Sequence, residues 1–152
     1  MALTTLGSKP EGSIIKIPER GKGVDFYVAK HNYESKLNGV GYTLVVRKDC
    51  YADGSWNSTN INTYANCNAG NIVDGSYKRL IVDEVQPLIN TTKFYYTPGN
   101  GNNTVTTLQR KIFLLSATEL GYSYIRVNVE GTALPIAETL KIANFNGSSV
   151  SQ

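Results

Sequence analysis

The chain has 152 residues, with 41% hydrophobic and 18% charged residues and a net charge of +3. That is long and apolar enough for one self-sufficient domain over 1–152, and it excludes a disordered chain. The basic residues are scattered or paired (Arg47-Lys48, Lys78-Arg79, Arg110-Lys111) with no basic stripe for nucleic acid, and no segment approaches the ~20 apolar residues of a membrane span. The start carries no export signal of basic residues followed by an apolar stretch.

The 14 Gly and 10 Tyr, with abundant Asn and Thr, favour turns and strands over long helices. An α+β protein, mostly antiparallel sheet with two or three short helices, is expected. Gly12 to Ile17 reads as a short first strand. Val24 to Lys30 alternates apolar and polar residues, and Gly21-Lys22-Gly23 before it supplies a hairpin turn. Gly41 to Lys48, with three consecutive apolar residues at Leu44 to Val46, predicts a central strand covered on both faces.

The middle of the chain changes period. In "GSWNSTNINTYAN" (Gly54 to Asn66), Asn57 is placed to cap a short helix whose inner face carries Ile61, Tyr64 and Ala65, with Trp56 stapled onto Ile61. This makes Trp56 a buried fold marker. Asn71 to Asn90 has Leu80, Ile81, Val85 and Leu88 near helical spacing, and Pro87 divides the segment into one or two short helices. Phe94 and Tyr96 lead into the turn Pro98-Gly99-Asn100-Gly101. The polar stretch Asn102 to Gln109 reads as an exposed loop, and Lys111 to Ser116 as a buried strand. Ser116 and Glu119 form a capping-box pair for a helical turn ended by Gly121.

Catalytic arrangements are hard to find. His31 sits in a polar stretch and reads as a solvated loop histidine, while Cys50 and Cys67 are too few and too far apart for a zinc site and read as semi-buried thiols, with a disulfide between them as the alternative. Asp83 and Glu84 are adjacent, so on a helix they point apart, and "PGNGNN" lacks the Lys-Ser/Thr of a phosphate loop. No catalytic, cofactor-binding or metal-binding residue is assigned, and a non-enzymatic protein is expected. The four glycosylation-type sequons at Asn57, Asn90, Asn102 and Asn146 are a product of Asn- and Thr-rich composition.

What remains is surface chemistry: rigid tyrosine rings supply contact area at low entropic cost, and amides supply adaptable hydrogen bonds. The candidate recognition residues are Tyr33, Tyr51, Tyr95, Asn100, Asn102 and Asn103.

Taken in order, "MALTTLGSKPEGSIIKI", "DFYVAKHNY", "GYTLVVRKDCY", "WNSTNINTYAN", "KFYYTPGNG", "KIFLLSATELGY" and "IANFNGSSV" cover nearly the whole chain. Together they resemble an uncharacterised domain family common in tailed phages and prophages of gram-positive gut bacteria. The resemblance implies a virion-associated structural, decoration or adhesin-like protein, made in the host cytoplasm, with an α+β fold similar to C-type lectin-like folds. It implies other virion proteins, further copies of the chain or a host-surface glycan as partners, and no cofactor. Family members continue past "NGS-x-V" into a Trp-x-Arg-Ser-Pro segment and a final strand. Relative to that pattern the sheet is expected to have an unfinished edge at Ile142, Asn144, Phe145 and Val150, open to assembly.

Overall fold

The computed structural model describes residues 5–52, 64–99, 101–123 and 128–145. The expectations for Trp56, Asn57, Ile61, Asn100 and Val150 fall outside them.

The fold is α+β, with two antiparallel sheets and three short α-helices among the described residues. The first sheet has the order β1 (Ile14–Glu19), β2 (Lys22–His31), β3 (Thr43–Arg47). Arg20 and Gly21 join β1 to β2, with φ of 50° and 77°. Positive φ at both central residues gives the twist that a two-residue hairpin needs. Pro18, which cannot donate to a ladder, lies in β1 at the sheet's edge. Beyond that edge the 80–82 segment covers the strand end: Arg20 N–H donates to the Leu80 carbonyl and Val82 N–H to the Pro18 carbonyl.

The central strand is β2, not the Leu44-Val45-Val46 strand, which lies at the other edge of the sheet. That edge strand is nevertheless packed on both faces, which explains its unbroken apolar run. Val45 joins a cluster with Ile15, Ile17, Val24, Phe26, Tyr77 and Ile81 on one face. Leu44 and Val46 join Tyr27, Ala29, Tyr33, Phe94, Leu134, Ile136 and Leu140 on the other. The sheet thus separates two hydrophobic clusters, and the alternation of β2 feeds both.

On the first face Glu19 is buried and accepts from Arg47 Nε at 2.9 Å and from the Tyr77 hydroxyl at 2.8 Å. One carboxylate therefore ties the hairpin end, the β3 edge and the segment at Tyr77 together. Burial, and then the Glu19 carboxylate, push the Tyr77 phenol pKa up.

A short helix α1 (Ser35–Asn38) links β2 to β3. The stretch from 64 to 88 is a series of short helical pieces: a 3₁₀ turn at Tyr64–Asn66, α2 (Asn68–Ile72), a π-turn at Val73–Tyr77, and 3₁₀ turns at Lys78–Leu80 and Gln86–Leu88. Pro87 sits in the first turn of the last piece, where its missing N–H has no cost. Ile81 is buried as its spacing predicts, whereas Leu88 is 67% exposed. Asp83 and Glu84 are exposed. Cys67 is a fully buried free thiol that caps α2, its Sγ accepting from Gly70 N–H at 3.2 Å; Cys50 is exposed and forms no disulfide.

The second sheet pairs β4 (Thr92–Tyr96) with β5 (Thr106–Arg110). Here the expected order of loop and strand is reversed. Thr106, Thr107 and Leu108 form the strand, because β-branched residues suit a half-exposed ladder, while Ile112 to Leu115 run as non-strand backbone packed between the clusters. Phe113 stacks on Phe94 at 4.3 Å between ring centroids.

The capping box forms as expected, with Ser116 N–H donating to Glu119 Oε2 at 2.9 Å and Glu119 N–H to Ser116 Oγ at 3.1 Å. The turn closes with Tyr122 N–H on the Ala117 carbonyl and Gly121 N–H on that of Thr118, Gly121 taking the positive φ of a Schellman motif.

The chain then enters α3 (Ala137–Phe145), preceded by Pro135 and burying Leu140. This corrects the assembly edge. Ile142, Asn144 and Phe145 lie in a helix, whose backbone groups bond within the segment and leave no strand edge to pair.

Candidate functional site

Lys30 owes its position to an irregularity in β2. The ladder pairs Val28 with Val45 but Lys30 with Leu44, so Ala29 is an extra residue, a β-bulge. In strict alternation through Ala29, Lys30 would share a face with Phe26 and Val28. The bulge puts it opposite Leu44, on the face that carries the second sheet.

Past β2 the chain turns sharply. Asn32 and Glu34 both adopt left-handed backbone, φ 51° and 42°. The Asn32 carboxamide oxygen accepts from Gly41 N–H at 2.8 Å, which supports the first of these. Glu34 stands at the N-cap of α1, but its side chain makes no capping bond.

Asn38, at the end of α1, fixes that helix to the second sheet. Its amide donates to the Lys93 carbonyl at 2.9 Å and its oxygen accepts from Lys93 N–H at 2.8 Å, as a neighbouring strand would. Tyr95 lies two residues along β4 from this clamp.

Opposite, residues 128–131 are held against the capping-box turn. Ser116 Oγ donates to the Glu130 carbonyl at 2.8 Å, Thr118 Oγ accepts from Glu130 N–H at 3.1 Å, and Glu130 Oε1 accepts from Thr97 N–H at 2.6 Å. Asn128 Nδ2 donates to the Asn103 carbonyl at 2.8 Å. Gly131 follows with φ 81°.

These segments enclose an open cleft of about 460 Å³, lined by Lys30, Asn32, Glu34, Ser35, Lys36, Tyr95, Val105, Val129, Gly131 and Thr132. Such a volume is within the range of small-molecule sites, about 300–1,000 Å³. Gly131 is required there twice over. Its φ is unfavourable for an L side chain, and a Cβ would lie 3.1 Å from Glu34 Oε1 and 3.7 Å from Glu119 Oε1. Two carboxylates therefore converge on one backbone position.

The two carboxylates differ in state. Glu119 is 3% exposed and accepts from both Ser116 N–H and the Tyr33 hydroxyl. Burial raises its pKa, while the bonds from Tyr33 and Ser116 oppose the shift. Tyr33 is held strongly as the neutral phenol, first by burial and then by the Glu119 charge. Glu34 Oε1, by contrast, is buried with no hydrogen-bond partner.

The predicted recognition residues separate. Tyr33 is not on the surface; it is 3% exposed, because Glu119 satisfies its hydroxyl from 86 positions away. Tyr51 is exposed but lies elsewhere, its ring 4.8 Å from that of Tyr77 and 5.9 Å from the Arg47 guanidinium carbon. Tyr95 lines the cleft. Asn102 and Asn103 are exposed in the β4–β5 connection, where Asn102 pairs with Gly99 and its side chain accepts from Thr104 N–H.

His31 is not a solvated loop histidine. It ends β2, half-buried, with Nδ1 2.9 Å from Thr43 Oγ1 and Nε2 2.7 Å from the Lys9 carbonyl, an arrangement in which Nε2–H donates. Among the described residues no group of three or more His, Cys, Asp or Glu is placed to hold a metal, and no helix is long and apolar enough to cross a membrane.

Sequence reasoning missed Lys30, Glu34, Lys36 and Gly131. The only local signal was the unpatterned run from His31 to Gly41, which fits neither helix nor strand period.

Comparison with curated proteins and with solved structures gives no match. The family model described as a domain of unknown function, DUF6273, matches residues 40–152. That is most of the chain, which therefore belongs to this family. Tyr95, Val129 and Gly131 fall within the matched span; Lys30, Glu34 and Lys36 precede it.

Proposed function

We propose that this DUF6273 protein is a non-enzymatic, virion-associated structural or decoration protein of a tailed phage or prophage, made in the host cytoplasm and working by contact. The placement in a virion rests on the sequence resemblance, as does a finer likeness to C-type lectin-like folds. The observation that carries the contact role is the cleft, which combines a tyrosine ring, an amide and opposite charges at a fixed, partly preformed surface. The titratable groups beneath it are committed elsewhere: Tyr33 and Glu119 bond to each other, and Glu119 also holds Ser116 N–H. Their bonds build the cleft floor and do not present an acid or base to a substrate.

Electron cryomicroscopy of particles from a host carrying the gene tests this. Density for the chain in symmetry-related positions, against other virion proteins or further copies, is expected; particles that lack the chain while it accumulates in the cytoplasm would overturn the proposal.

One observation favours a second reading, a carbohydrate-binding module of a tail or fibre. Tyr95, Val105 and Val129 give the cleft an apolar wall beside its polar lining, the combination that fits a sugar's apolar face and hydroxyl rim. Glycan-array binding lost in Tyr95→Ala but retained in Tyr51→Ala is the expected result, since Tyr51 lies outside the cleft.

A further inference from the structure

Among the described residues, Glu34 Oε1 is a buried side-chain oxygen with no hydrogen-bond partner. An acceptor in that state is destabilising and needs a physical reason. It is removed from solvent against Gly131, so a donor in the cleft does not reach it. The donor that satisfies it has to come from the protein itself.

The neighbouring groups narrow the choice. Tyr33 directly precedes Glu34, and its hydroxyl already donates to Glu119 Oε1. In the capping-box turn Glu119 Oε2 accepts from Ser116 N–H, and in the 128–131 segment Glu130 Oε1 accepts from Thr97 N–H. Lys30 and Lys36 line the cleft with Glu34 and enter none of the ion pairs among the described residues. A Cβ at Gly131 would lie 3.1 Å from Glu34 Oε1 and 3.7 Å from Glu119 Oε1, so both oxygens flank the space this glycine leaves open. A divalent cation there would need further oxygen ligands, and among the described residues no group of three or more His, Cys, Asp or Glu is placed to hold one. What two carboxyl groups at one point can share is a proton. Once protonated, a carboxyl group donates through its O–H and keeps acceptor capacity, so the bond from Tyr33 need not break.

We propose that Glu119 and Glu34 form a proton-operated clasp beneath Gly131, in which a proton on Glu119 Oε1 donates to Glu34 Oε1 and Tyr33, Glu119 and Glu34 become one chain of hydrogen bonds. The clasp joins the turn after β2 to the capping-box turn. When the proton leaves, like charges face each other in a site closed to water. Glu34 then turns outward into the cleft it lines, where Lys30 and Lys36 await a counter-charge. The acid form therefore presents two cations to the cleft, and the basic form an internal ion pair. Burial raises the proton affinity of Glu119, which sets the clasp to open above the ordinary glutamate range. This device is independent of what the cleft holds and of any placement in a virion.

The test is a pH titration of the full chain, carrying carbon-13 in its glutamate and lysine side chains, followed by NMR from about pH 3 to about pH 8. The Glu119 carboxyl carbon is expected to titrate above the ordinary glutamate value, and the Glu34 carboxyl carbon to shift at that same midpoint. The Lys30 and Lys36 side-chain resonances and the Gly131 amide should move with them. Glu119→Gln keeps an N–H donor in place at every pH, so it should hold Glu34, Lys30 and Lys36 at their acid-side positions throughout. Glu34→Gln removes the second charge and supplies a donor, so it should lower the Glu119 midpoint, which burial alone would leave where it is. A Glu34 carbon with no step at the Glu119 midpoint overturns the clasp. So do lysine resonances that stay still while Glu119 titrates, or a Glu119 midpoint unmoved by E34Q. The wild-type titration decides by itself if either variant proves too unstable to record.

Discussion

Replacing Glu119 by alanine strips two donors of their acceptor at once. In the native protein Ser116 N–H reaches the carboxylate at 2.9 Å, and the Tyr33 hydroxyl donates to its other oxygen in a region where both side chains are 3% exposed. Each donor left buried and unpaired costs about 1–3 kcal/mol, and the lost cap falls within the same range. Against this, alanine no longer requires a carboxyl group to be buried, which offsets part of the loss. The expected net destabilisation is about 3 kcal/mol, read from urea unfolding as a lower midpoint at unchanged slope. Glu119→Gln is the discriminating control, since its carbonyl can accept from Ser116 while its amide faces the Tyr33 oxygen; it should cost about 1 kcal/mol or less near pH 4. The pH dependence has a definite sign. Because burial raises the folded-state pKa of Glu119, the folded protein keeps that proton when the unfolded chain has lost it. The stability tied to protonation is complete below the ordinary glutamate value of about 4.3 and declines as pH rises through the raised folded value. Glutamine has no such loss, so E119Q should gain on the wild type between pH 4 and neutrality. If E119A loses less than about 1 kcal/mol, or E119Q loses as much as E119A at every pH, the two-donor account is wrong.

Gly131→Ala should destabilise by about 1–2 kcal/mol from its positive φ alone, and the Cβ placed 3.1 Å from Glu34 Oε1 should shift the Glu34 side-chain resonances in NMR spectra. Glu19→Ala leaves the partly buried Arg47 guanidinium and the Tyr77 hydroxyl unpaired, with an expected loss of about 3 kcal/mol by chemical denaturation; Arg47→Met should cost a comparable amount, because it leaves the buried Glu19 carboxylate with the Tyr77 hydroxyl but without its counter-charge, and the double variant E19A/R47M should cost less than the two single losses added. Burial pushes the Tyr64 phenol pKa up to about 12, even though Leu114 N–H donates to its oxygen. An unfolded tyrosine ionises near 10, so stability should be intact below about pH 10 and fall as pH rises toward 12. Tyr64→Phe should flatten that fall in alkaline unfolding curves.

Features of this fold that were legible in the sequence are those whose chemistry is complete within a few residues. Ser116 and Glu119 satisfy each other's backbone three positions apart, and Gly21 supplies a conformation that the β1–β2 hairpin needs. Apolar content alone misled at Lys111 to Ser116: burial there comes from packing against Phe94 and both clusters and requires no ladder, while the threonines of β5 meet the ladder's needs without a strong hydrophobic signal. Tyr33 reads as a surface ring because its neighbours Asn32, Glu34 and Ser35 are polar, and only a partner 86 residues away makes its burial affordable. The cleft was invisible for the same reason. It joins the end of β2, the middle of β4 and the loop at Gly131, and no periodicity within one segment reports that meeting. α3 did carry a signal, Pro135 followed by Ala137 and Glu138 in a first turn, but its apolar residues Ala137, Leu140, Ile142, Ala143 and Phe145 are spaced so that they spread around the helix and set no single face.

The extra residue at Ala29 acts as a frameshift in the reading of β2. Upstream of it, side chains are dealt alternately to the two hydrophobic clusters; downstream, the same alternation deals a lysine into the cleft. One strand can thus encode core and surface in a single pattern without breaking it. A strand of the same length that took Ala29 into regular register opposite Leu44 would send Lys30 to the face of Val28 and the Phe26 cluster, so a more regular sheet would lose its lysine from the cleft. The bulge, and not the alternation alone, decides which face Lys30 takes; deleting Ala29 should leave Lys30 opposite Leu44 and remove one buried residue from the Tyr27 cluster.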